Sequence, residues 1–99
     1  PQALVNEKMV ARSHELGEYF KGRLQRVESD HIKEVRGKGL FIGVELHTRA
    51  RRFCEALQER GILCKETHEN VIRFAPPLVI KKEEIDWAME LIEPVLLMP

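Results

Sequence analysis

The chain has 99 residues, 43% of them apolar and 32% charged, with sixteen acidic side chains balancing sixteen basic ones. That composition is ordinary for a globular domain and leaves no electrostatic case for nucleic acid or an anionic membrane surface. No apolar run approaches the length of a membrane span and the N-terminus lacks a signal-peptide pattern, so one cytoplasmic domain over residues 1–99 is expected.

Residues 3–28 read as a long amphipathic helix. Met9, Leu16, Phe20, Leu24 and Val27 recur at helical spacing, Val5 and Ser13 complete the stripe, and Ser29-Asp30 ends it. Ile32 to Arg36 reads as a half-buried strand, Gly37-Lys38-Gly39 as a turn with glycines at positive backbone angles, and Leu40 to Leu46 as a second strand. A phosphate-binding glycine loop would need a helix to follow, and Phe41-Ile42-Gly43-Val44 is β-like instead. Thr48 is the candidate N-cap of a helix over 49–60, with Ala50, Phe53, Cys54 and Leu57 buried and Gly61 at the C-cap. Arg49, Arg51 and Arg52 crowd the positive end of that helix and read as a solvated face.

Ile62 to Lys65 is a short third strand, Glu66 to Asn70 a polar turn and Val71 to Phe74 a fourth strand, closing a second hairpin. Pro76-Pro77 cannot donate ladder hydrogen bonds, so the fourth strand must stop or reach an edge there. A final helix over 82–97 buries Ile85, Ala88, Met89, Ile92 and Leu96. Trp87 and Leu91 give it a second apolar face, and Pro94 limits or bends its end. The order is helix, hairpin, helix, hairpin, helix. The fold class is therefore α+β: a small, mainly antiparallel four-stranded sheet with helices packed on one face.

No group of residues assembles a reaction by itself. The four histidines form no pair at metal-ligand spacing, and Cys54 and Cys64 read as two reduced thiols. Cys64 and His68 are four residues apart across a turn, which chance explains better than a thiol–imidazole pair. Lys38 and Lys65 are Schiff-base candidates only in the sense that any lysine is. The informative residue is Arg73, a single charge inside the apolar decapeptide Val71 to Ile80. Its head either reaches water from an edge strand or meets an anion, for which its planar fork of donors suits a carboxylate.

Two stretches add a resemblance. Glu34 to Leu46, with its Arg-Gly-Lys-Gly-Leu-Phe-Ile-Gly-Val-Glu core, resembles the strand–turn–strand of the class III pyridoxal-phosphate aminotransferases. The Lys65-Glu66-Thr67-His68 turn, followed by Ile72-Arg73-Phe74-Ala75-Pro76-Pro77-Leu78, is similar to the members of that family that act on ornithine. Members acting on acetylornithine share the Arg-Phe-Ala-Pro core but usually lack that turn. Lys81-Lys82 departs from relatives that place Ser or Thr before the last helix.

The resemblance implies a C-terminal small domain of an enzyme that converts ornithine and a 2-oxo acid to glutamate semialdehyde and an amino acid. Arg73 would bind the substrate carboxylate of the 2-oxo acid or of glutamate, with a glutamate of the large domain as its resting partner. The Schiff-base lysine, the aspartate on the pyridine nitrogen and the phosphate loop would all lie on the absent large domain. The chain alone would then hold no catalytic residue, bind neither pyridoxal phosphate nor metal, and be inactive, and the parent would be a homodimer or larger. A first residue that is not methionine, entering a helix at once, agrees with a piece of something longer. The alternatives are a stand-alone sensor domain for an amino or oxo acid, and an interaction module docking through Phe74 to Leu78 and the Trp87/Leu91 face.

Overall fold

A computed structural model describes residues 7–38, 41–74 and 81–99, without the side chains of residues 7–11, 13 and 38. The start of the first helix, the stripe positions Val5, Met9 and Ser13, Gly39 of the turn and the Pro76-Pro77 pair fall outside what is described. The elements are α1 (Glu7–Gln25), β1 (Ile32–Lys38), β2 (Phe41–Leu46), α2 (Arg51–Glu59), β3 (Cys64–Thr67), β4 (Val71–Phe74) and α3 (Lys82–Leu96). All strand pairs are antiparallel, and the sheet order is β1-β2-β4-β3. The α+β class and the element order match the sequence reading.

The two hairpins do not lie side by side as separate units. β2 pairs with β4 through Ile42↔Phe74, Gly43↔Arg73, Val44↔Ile72 and Glu45↔Val71. That pairing corrects the edge-strand reading of Arg73: β4 is an interior strand, and among the described residues β1 and β3 are the edges. Ile42, Val44, Leu46, Ile72 and Phe74 are all buried in one cluster with Leu16, Phe20 and Leu24 of α1 and with Ile85, Met89 and Ile92 of α3. Alternation along the strands leaves Phe41, Gly43, Glu45, Val71 and Arg73 on the opposite face, which carries no helix among the described residues. Val71 is buried there without belonging to the helix-side core.

Ile32 and Val35, three apart, would fall on opposite faces of a regular strand. A register shift between Ile32 and Glu34 lets both turn toward the core. Gly37 does not need a positive φ, contrary to the turn reading. Glycine is required there by close approach instead, since a Cβ would sit 2.5 Å from Ile42 Cδ1 and 2.7 Å from the Phe41 carbonyl oxygen. Gly37→Ala is expected to cost about 1–3 kcal/mol by forcing the hairpin apart, measured as a lower urea midpoint at unchanged slope.

The ends of the helices have separate causes. Thr48 is not the N-cap of α2. Ala50 holds that position with no side-chain cap, and its own N–H donates to the Glu69 carbonyl at 2.8 Å. Gly61 ends α2 as expected, with φ +85°. Its N–H reaches the Gln58 carbonyl and that of Ile62 the Leu57 carbonyl, both at 3.0 Å. At the start of α3 the Lys81 N–H donates to Glu84 Oε1 at 2.7 Å, so Glu84 supplies the closure that no Ser or Thr provides. Asp86 of α3 accepts from Arg23 of α1 at 2.6 Å and from the Tyr19 hydroxyl, fastening the two long helices across the sheet. The buried stripe of α3 is Ile85, Met89, Ile92, Val95 and Leu96, and Ala88 is half-buried.

Candidate functional site

The helix-free face of the sheet carries two kinds of cation. Arg36 donates to Glu45 Oε1 at 2.7 Å and Glu34 Oε2 at 3.1 Å, and Lys33 lies 3.6 Å from Glu45 Oε2. The Arg36 hydrogen bond holds the Glu45 carboxyl below the usual carboxylate range, and Lys33 adds to the effect. These charges neutralise one another. Arg73, exposed on the same face, makes no ion pair among the described residues.

The neighbours of Arg73 are set by register. On β3 its direct partner is Lys65, and on β2 it is Gly43. Directly opposed residues share a face with Cβ atoms about 5 Å apart, so two positive side chains stand together on exposed sheet. A Cβ added at Gly43 would meet Val71 Cγ1 at 3.5 Å and the Arg36 carbonyl oxygen at 3.9 Å, ordinary contacts only. No packing in the described chain therefore demands glycine, and its bareness leaves open floor beside the guanidinium. Phe41 stands on the other flank, with Arg73 Cζ 5.9 Å from its ring centroid. Leu63, Cys64, Lys65 and Arg73 line a concavity of about 460 Å³. Chemically, the place offers a forked donor, a second cation and an aromatic wall to an anionic ligand approaching from outside.

The other candidates fare differently. Cys64 faces inward while His68 is exposed in the turn at φ 50°, so the two do not form a catalytic pair. Cys54 and Cys64 are brought together instead, both buried and unoxidised, with Cys64 Sγ 3.9 Å from the Cys54 carbonyl oxygen. The Cys54 thiol is held far above its ordinary range, first by its hydrogen bond with Cys64 and then by burial. The side chain of Lys38 lies outside the described residues. Gly43 and Lys65 were not legible as neighbours of Arg73 from the sequence, because only the β2–β4 and β3–β4 registers put them there.

A second surface is apolar. Phe20, Ile62, Leu63, Phe74, Ile85 and Trp87 border a groove of about 440 Å³, with Trp87 57% and Leu63 75% exposed. Among the described residues no cluster of His, Cys, Asp or Glu could hold a metal ion, and no helix is long and apolar enough to cross a membrane. Glu34 and Glu45, carboxylates of the open face, are already engaged by Arg36 and Lys33, and the helices pack on the other face.

Comparison with known proteins gives this surface a setting. The sequence profile described as aminotransferase class-III matches residues 2–96. The chain is 63% identical over 92 residues to an ornithine aminotransferase of Staphylococcus epidermidis, covering 93% of this chain and 23% of that protein. It is 62% identical over 95 residues to the Bacillus subtilis ornithine aminotransferase, covering 96% and 24%. Among solved structures, the acetylornithine aminotransferase of Elizabethkingia anophelis superposes with a TM-score of 0.86 at 38% identity, over 92% of this chain and 24% of that one. The Plasmodium yoelii ornithine aminotransferase superposes with a TM-score of 0.87 at 33% identity, over 96% and 26%. The chain thus spans about a quarter of the length of the curated relatives it matches. Class III aminotransferases depend on pyridoxal phosphate, and it is to the class III aminotransferase family that this chain belongs.

Proposed function

We propose that residues 1–99 form the C-terminal small domain of a cytoplasmic ornithine aminotransferase, and that Arg73 is the residue that grips the carboxylate of its 2-oxo acid or glutamate. The observation that carries this reading is the exposed guanidinium on the helix-free face, without a carboxylate among the described residues and with bare sheet at Gly43 beside it. An arginine so placed is matched to an acid brought from outside the chain. Identity above 60% to ornithine aminotransferases supports ornithine over acetylornithine as the amino donor.

In the whole enzyme, a homodimer or larger, pyridoxal phosphate supplies the amino-transfer chemistry from the large domain. What this chain contributes is orientation: the fork fixes the acid end of the substrate, and the rigid β2–β4 pairing fixes the fork. A glutamate of the large domain would hold Arg73 between turnovers, so that the cation is never left facing a closed site alone. The isolated chain is expected to bind no pyridoxal phosphate. Equilibrium dialysis should recover equal cofactor on both sides, and saturable retention by the chain would overturn this division of labour. The role of Arg73 itself is tested by separating the two half-reactions of the full-length enzyme, where its loss should fall on the 2-oxo acid side.

A further inference from the structure

We propose that Lys65 is a second cation of the carboxylate site, a positioning residue that draws the anionic 2-oxo acid toward Arg73. The inference rests on the reading of Arg73 given above. Lys65 and Arg73 are direct cross-strand partners on adjacent strands, and like charges so placed repel. Lys33 and Arg36 on the same sheet have carboxylates at 2.7–3.6 Å. Among the described residues, Lys65 and Arg73 have none. They border one concavity of about 460 Å³ with Leu63 and Cys64.

With the large-domain glutamate holding Arg73 between turnovers, Lys65 is the charge that still attracts an arriving anion, and its field adds to the binding of the acid once Arg73 is released to it. The two side chains divide the work by their chemistry. Arg73 supplies two parallel donors and therefore geometry. Lys65, a compact charge on a flexible stem, supplies field without directional demand. Ornithine, which carries net positive charge, gains nothing from that field.

Lysine on an edge strand has another common use, blunting edge-to-edge strand pairing, and that use predicts no effect on substrate. The test uses the full-length enzyme with 2-oxoglutarate and ornithine as probes. In Lys65→Met the KM for 2-oxoglutarate should rise roughly three- to ten-fold with kcat unchanged, and its rise with added salt should be shallower than in the parent. Lys65→Arg should restore both, and the KM for ornithine should stay the same or fall. Lys65→Gln serves as a second neutral variant should the methionine disturb the edge strand. An unmoved KM for 2-oxoglutarate, or equal changes for both substrates, would overturn the proposal. Arg73→Lys, run alongside, separates the two ideas. If it weakens 2-oxoglutarate while Lys65→Met does not, the role of Lys65 alone falls. If neither variant affects 2-oxoglutarate, the assignment of Arg73 falls with it.

Discussion

Replacing Arg73 by alanine in the full-length enzyme is expected to weaken 2-oxoglutarate by about 2–5 kcal/mol while leaving ornithine nearly unaffected. The magnitude is that of removing one partner from a charge-assisted, forked contact, which leaves the substrate carboxylate unpaired. Rapid-mixing measurements of each half-reaction separate the two substrates. The asymmetry is the diagnostic part. Arg73 is exposed in this chain and interior only by strand order, so its removal disturbs no buried contact of the sheet. Equal losses in both halves would mean that the arginine maintains structure and does not recognise the acid.

Phe74→Ala should unfold the domain far more readily, by about 3–5 kcal/mol, as a lower urea midpoint. Phe74 is 2% exposed, pairs with Ile42 and Cys64 across the sheet, and meets Phe20 of α1 edge to face with ring centroids 5.6 Å apart. Alanine there would open a cavity between sheet and helix that neither can collapse into. Since whole domains are stable by only about 5–15 kcal/mol, that loss is a large share of the total. Phe41, 59% exposed on the opposite face, is the matched control and should cost less than about 0.5 kcal/mol. Similar shifts for the two aromatics would contradict the placement of the core.

The long helices were legible because their apolar spacing is strong and local: Leu16, Phe20 and Leu24 are buried as read, and so is Ile85 with Met89, Ile92 and Leu96. Val27 is buried beyond the end of α1, which stops at Gln25 and short of the expected residue 28. Arg73 stood out as the one charge in an apolar strand, and the surrounding residues carried the family resemblance. What escaped reading depends on contacts distant in sequence. Nothing local announces that β2 pairs with β4, and that pairing decides which strand is interior and which residues flank the arginine. Thr48 looked like a cap, but the start of α2 is tied by the Ala50 N–H to Glu69, nineteen positions further on. The β3–β4 turn places His68 and Glu69 at φ 50° and 67°, with no glycine to signal it. Its backbone is held instead by Asn70, whose carbonyl accepts from the Leu46 N–H at 2.7 Å and whose side chain donates to the Leu46 carbonyl at 3.2 Å.

The seam between β2 and β4 has a thermodynamic consequence. Arg73 and Gly43 come from strands of different hairpins, joined by the β2–β4 pairing. A ligand gripping that spot recognises the joined sheet and neither hairpin alone, so its occupancy pulls the folding equilibrium toward the assembled state by mass action. If Arg73 grips the acid as proposed, substrate would act as a rivet for the whole layer, raising the melting temperature of regions it never touches.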